Sequence, residues 1–136
     1  MIIADTNLIS YLLIEGPFTE VARQAWQRDA CWLAPPLWRS ELLNVLWLHV
    51  RVDGLREDDA FRIWRRAVHE LRLVERSPDE ELILQVALRD GISAYDAHFV
   101  AVAEREGLPL VTADKTLLRR CPAIAQSIES FAENAA

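Results

Sequence analysis

Two short apolar runs in this chain stop close to an aspartate and pass at once into helix-periodic sequence. Met1–Ala4 leads into Asp5-Thr6-Asn7 and then Leu8, Ile9, Leu12 and Leu13. Leu108–Thr112 leads to Asp114, and a helical stretch follows through Arg120. The hexapeptides Ala4-Asp5-Thr6-Asn7-Leu8-Ile9 and Ala113-Asp114-Lys115-Thr116-Leu117-Leu118 echo one another. An apolar run feeding a helix with no hairpin turn between them reads as a strand–helix unit. Such units pair their strands in parallel, because the chain returns to the sheet only after a crossover. The expected fold is therefore α/β, three layers with a central, mostly parallel sheet flanked by helices. Both aspartates then lie at the carboxyl ends of strands, where open α/β sheets bind ligands.

The rest of the chain fills in this pattern. Thr19 opens a helix through Arg28, with Val21, Ala22, Ala25 and Trp26 on one face. Cys31–Ala34 reads as a buried strand stopped by Pro35-Pro36, and Cys31 as a small buried residue. Leu37–Arg51 is apolar on most sides and is expected to be a largely buried helix, broken at Gly54. Arg56–Leu71 repeats helical spacing through Ala60, Phe61, Trp64, Ala67 and Val68, and Leu71–Val74 reads as a strand. Ser77-Pro78-Asp79-Glu80 predicts a helix start with Pro at the first helical position, running to Arg89 and ending at Gly91. Ser93 then caps Ala94–Arg105, closed by Gly107. In the tail, Ile124–Phe131 holds one edge strand. With no linker or low-complexity segment, residues 1–136 read as one domain with a real core.

Composition removes several function classes. Cys31 and Cys121 form no CxxC pair, which argues against a disulfide framework and a thiolate zinc site and fits a reducing cytosol. No run of about 18 apolar residues occurs, since Glu15, Asn44 and His49 interrupt the greasiest stretches; no membrane span is expected. The opening MIIADTNL has no basic region and carries an early Asp, unlike a signal peptide. A net charge of −6 argues against holding nucleic acid by a general positive field. It leaves open a carboxylate site whose charge is cancelled locally by divalent cations.

Four acids carry the candidate chemistry. Asp5 and Asp114 read either as helix N-caps or as strand-end ligands on one sheet edge. Glu41 shares a helical stripe with Leu37, Val45 and Leu48, and Asp96 lines up with Phe99, Val100 and Ala103. A carboxylate on an apolar stripe is costly unless it is paired or binds a metal. The structural alternatives are an ion pair from Glu41 to Arg39 or a more distant Arg, and a capping box joining Ser93 to Asp96. Taken together, the four describe an oxygen-only cluster, which selects Mg2+ or Mn2+ over zinc. Such a cluster suits phosphoryl chemistry, where divalent ions activate water and hold charge on phosphate oxygens.

The segments MIIADTNLISYLL, RSELLNVLW, SAYDAHFVAVAERE and LVTADKTLLRR resemble the motif blocks of PIN-domain ribonucleases, in particular VapC-type toxins of toxin–antitoxin pairs. The resemblance runs from Met1 to about Arg120, with all four acids in order; between Gly54 and Asp90 it extends only to helical layout. It implies a PIN-like fold and a Mg2+- or Mn2+-dependent endoribonuclease that hydrolyses RNA phosphodiesters to leave a 5′-phosphate. Asp5 and Asp96 would be the first metal ligands, and Glu41 and Asp114 would complete the acidic pocket. Thr112 matches the family's hydroxyl residue two positions before the last acid, and Asn7 its polar residue after the first Asp. The resemblance also implies a cognate antitoxin, a homodimer and a cytoplasmic setting.

Two rival readings are a receiver-type signalling domain and a non-catalytic interaction module of the same fold. Of the tryptophans Trp26, Trp32, Trp38, Trp47 and Trp64, the pair Trp38 and Trp47 marks a helix with more apolar surface than one core face needs. A hydrophobic partner groove that includes Trp38 or Trp47 is therefore expected. His49, His69 and His98 share no ligand spacing, and His98 lies roughly 200° around its helix from Asp96.

Overall fold

A computed structural model describes residues 1–133. The last three residues of the expected domain, 134–136, lie outside the described residues. Five short strands form one sheet in the order β3-β2-β1-β4-β5, and every neighbouring pair is parallel. They are β1 (Ile2–Ala4), β2 (Trp32–Ala34), β3 (Val74–Glu75), β4 (Leu110–Thr112) and β5 (Ala125–Ser127). In register, Ile3 pairs with Leu33 on one side and Leu110 on the other. All residues of β1, β2 and β4 are buried. Helices cover both faces of such a sheet, which is why these strands are continuous apolar runs rather than alternating ones.

The flanking helices form two groups. In the first, α1 (Thr6–Leu13) packs against α2 (Thr19–Arg28), α3 (Trp38–Val52) and α4 (Glu57–His69), and α8 (Ile128–Glu133) packs on α2. In the second, α5 (Glu80–Asp90) pairs with α6 (Ala94–Glu106), which also touches β1 and β4. The remaining helix, α7 (Lys115–Arg120), follows β4. From β1 the chain winds outward to β2 and β3, then crosses back to β4 and β5. The boundary between β1 and β4 is thus the switch point of the sheet, where a crevice opens at the carboxyl ends of the strands. Asp5 and Asp114 stand there.

Several expectations are corrected. Helix α3 is not largely buried: only Trp38, Leu42 and Leu46 reach the core, while Leu43, Trp47, Leu48 and Val52 are exposed. The i, i+4 stripe led by Trp38 takes the core face because Trp38 packs on Trp64 of α4, with ring centroids 5.9 Å apart. Trp38 is therefore a core residue, and Trp47 alone of that pair is exposed. Helix α5 begins at Glu80, and Pro78 lies outside it, because Asp79 takes the extended N-cap conformation itself. The tail holds β5 and then a helix; the Ser127 hydroxyl accepts from the Ser130 amide at 3.1 Å and turns the chain into α8. Cys31 is exposed: it lies just before β2 with its amide bonded back to Asp29 Oδ1 at 2.9 Å, and Trp32 takes the first buried position.

Candidate active site

Four separate segments deliver the four acids to one open cleft of about 790 Å3. Asp5 leaves β1 and caps α1, its Oδ1 accepting the Thr6 amide at 2.8 Å. Asp114 leaves β4 and caps α7, its Oδ1 accepting from the amides of Thr116 at 2.8 Å and Leu117 at 3.1 Å. Glu41 comes from the first turn of α3, and Asp96 from the first turn of α6. Both strand-end aspartates are helix N-caps, and Asp114 holds its helix through Oδ1 alone, its Oδ2 accepting no hydrogen bond among the described residues. The Ser93 hydroxyl likewise accepts from the Asp96 amide at 3.1 Å, as a capping residue does.

A small polar network fixes Asp5. Its Oδ2 accepts from the Thr112 hydroxyl at 2.6 Å and from Asn7 Nδ2 at 3.3 Å. Thr112 Oγ1 in turn accepts from the Asp114 amide at 2.9 Å and from Asn7 Nδ2 at 3.3 Å. Asn7 Oδ1 accepts from the Ala113 amide at 3.0 Å. A hydroxyl has one donor and two acceptor positions, and Thr112 uses all three. Thr112 and Asn7 thereby tie the end of β1 to the end of β4.

Glu41 does not pair with Arg39, which instead forks Glu75 through contacts of 2.7 and 3.1 Å. Its Oε1 accepts from the Thr6 hydroxyl at 2.7 Å. The stripe of Leu37, Glu41 and Val45 lines the cleft, with Leu37 also packing against the core, and the fully buried face of α3 is the neighbouring one. Leu48, expected on that stripe, is exposed. Sequence reasoning missed Thr6, Ser40, Asn44 and His49, all of which line the cleft. The available signal was polar residues on the same stripe: Asn44 and His49 lie three and eight positions after Glu41.

Electrostatically the cleft is one-sided. Among the described residues that line it there is no Lys or Arg. Burial pushes the Asp5 carboxyl up to about 7, against the hydrogen bonds from Thr112 and Thr6, and the charges of Glu41 and Asp96 add to the rise. Burial also raises Glu41, opposed by the Thr6 hydrogen bond, with Asp96 adding to the rise and His98 opposing it. Asp96 is raised by burial and then by Asp114. Although His98 is turned away from Asp96 on its own helix, it stands near enough to Glu41 to favour its charge. These carboxylates are held together against mutual repulsion, and a hard divalent cation is the ligand that relieves it. No three acids among the described residues form a ready-made cage. The donors are oxygens only, a set that suits a hard divalent cation.

The PIN domain family model matches residues 2–122. The chain is 29% identical over 126 residues to Ribonuclease VapC3 of Pyrobaculum aerophilum, covering 90% of this chain and 96% of that protein. It is 35% identical over 77 residues to Exonuclease VapC9 of the same organism, covering 57% of each. The crystal structure of PAE2754 from Pyrobaculum aerophilum matches with a TM-score of 0.75 at 25% identity, covering 98% of this chain and 93% of that one.

Proposed function

The chain belongs to the PIN-domain family, and from that premise we propose that it is a VapC-type toxin, an endoribonuclease that uses Mg2+ or Mn2+. Residues 1–136 act as a single domain. The observation that carries this reading is the gathering of four acids at the switch point of the sheet, in a cleft lined by no Lys or Arg among the described residues. A polyanion cannot approach such a cleft unless cations cancel its charge. Asp5 and Asp96 are the first-choice ligands; Glu41 and Asp114 complete the shell directly or through water. When bound, the ion lowers the pKa of water and neutralises charge on the phosphate. Thr112, Asn7 and the Thr6 amide hold Asp5 in one orientation, so the centre is preorganised before substrate arrives. In the reaction water adds to phosphorus and the bond to the 3′-oxygen breaks, leaving a 5′-phosphate.

The relatives' names include both a ribonuclease and an exonuclease; for this chain the proposed reaction is internal cleavage of RNA. A cognate antitoxin and a second copy of the chain are its proposed partners, in the cytoplasm. An apolar groove of about 570 Å3 between α3 and α4, with Leu43, Trp47, Phe61 and Trp64 in its wall, offers a surface for such contact. A receiver domain is not favoured: its sheet runs 2-1-3-4-5, whereas this one runs 3-2-1-4-5. No observation favours the non-catalytic module.

The test uses purified full-length protein with circular and linear RNA. Circular RNA should be cut with Mg2+ or Mn2+ and protected by EDTA, and Asp5→Ala and Asp96→Ala should each abolish cutting. Shortening of linear RNA with circles left intact would make the enzyme an exonuclease. Near wild-type cutting by either variant would overturn the ligand assignment.

A further inference from the structure

We propose that Thr6 is a positioning residue for Glu41, holding one of its carboxylate oxygens so that the other remains free for the cation of the cleft. The inference deepens the nuclease reading and rests on it. Each strand-end aspartate is fixed by at least two donors, Asp5 by the Thr6 amide, Thr112 and Asn7, and Asp114 by two helix amides. Glu41 has a longer side chain with more rotatable bonds and far less to hold it. Among the described residues its one hydrogen bond is from the Thr6 hydroxyl, at 2.7 Å across 35 positions of sequence, and its Oε2 accepts none. Without that bond the carboxylate would be free to rotate away from the other acids, which repel it.

Thr6 is suited to the task. It is 6% exposed, in the first turn of α1, and its branched Cβ restricts χ1. Its two polar groups reach two different acids: the amide donates to Asp5 and the hydroxyl to Glu41. Any residue but proline could supply the amide bond. Only a hydroxyl side chain of this length supplies the second, so the identity of residue 6 matters through Glu41 and not through Asp5. Partners that orient metal ligands in this way typically change metal affinity by 10–100-fold when removed.

The experiment is a calorimetric titration of the full-length, metal-free protein with Mn2+ alone, with thermal melts to show that each variant is folded. Thr6→Val keeps the shape and removes the donor, and it should weaken Mn2+ binding by about tenfold. Thr6→Ala gives a second reading if the valine variant does not fold. Thr6→Ser restores the donor and should return affinity to within about twofold of wild type, a tenfold loss being what removal of such a partner costs. In a Glu41→Ala background, Thr6→Val should have no further effect, because the group it acts through is gone. Wild-type affinity in both Thr6→Val and Thr6→Ala, an equal loss in the Glu41→Ala background, or failure of serine to rescue would each overturn the positioning role. Failure of the wild-type protein to bind Mn2+ would instead overturn the metal-nuclease reading, and the inference with it.

Discussion

Burial of the Asp5 carboxyl is costly enough to read out as stability. In the folded, metal-free protein its carboxyl titrates at about 7, raised by burial from the ordinary 3.8. Between roughly pH 4 and pH 7 the folded chain therefore holds a proton that the unfolded chain has released. Stability falls as pH rises through that window and levels off above it. At about 1.4 kcal/mol per pH unit, the loss reaches roughly 4 kcal/mol. Asp5→Asn cannot titrate and removes this slope. Its amide, however, must turn an N–H toward a donor on one side, either the Thr6 amide or the Thr112 and Asn7 pair, at a cost of about 1–3 kcal/mol at every pH. The variant should thus be less stable than wild type by about 1–3 kcal/mol at pH 4 and more stable by a similar amount at pH 8. Urea unfolding in EDTA at several pH values measures the difference. Added Mn2+ should then restore the wild type, by about 2.7 kcal/mol at a hundredfold excess over the dissociation constant, and do little for the variant. A difference that stays constant from pH 4 to pH 8 would refute the argument, because Asp5 would then ionise like a solvated carboxylate.

Two further outcomes follow from the geometry. Trp47→Ser combined with Phe61→Ser removes two exposed aromatics from the groove between α3 and α4, and it should weaken self-association or antitoxin capture while the metal-induced melting shift persists. Unchanged association by light scattering and pull-down would remove the groove from the partner surface. Gly91→Ala places a Cβ on a residue with φ of +67°, in a space where the nearest atom, Arg120 Nη1, is 3.5 Å away. Backbone strain alone should then cost about 1 kcal/mol in urea unfolding; a neutral substitution would mean that the α5 terminus relaxes freely.

How much of this was legible in the sequence depends on how far apart the cooperating residues lie. Caps and strand ends are local chemistry, and Asp5, Ser93, Asp114 and Gly107 can be placed from a few neighbouring residues. The face that α3 turns to the core is not local. Leucines, valines and tryptophans surround most of that helix, and the choice of Trp38, Leu42 and Leu46 is made by Trp64 on another helix. An apolar stripe through Glu41 was visible, but whether it faced core or cleft was not. The bond from Thr6 to Glu41 has no sequence signature at all, since threonine at a helix start has an ordinary capping-region explanation.

Sheet order sets the deeper limit. Nothing in the chain between Ala4 and Leu110 says that β1 and β4 are neighbours, yet that adjacency creates the switch point and brings Asp5 beside Thr112 and Asp114. The echo between the segments around Asp5 and Asp114 is the one local trace of it. Two strands that end in the same strand-to-helix turn can present their caps side by side only if they are parallel and aligned at their carboxyl ends, as the pairing of Ala4 with Val111 makes them. The acids then meet because of topology, and their repulsion is a consequence of that meeting. A divalent cation would resolve this repulsion at little structural cost, and on the proposed nuclease reading the same adjacency that was hardest to read carries the chemistry.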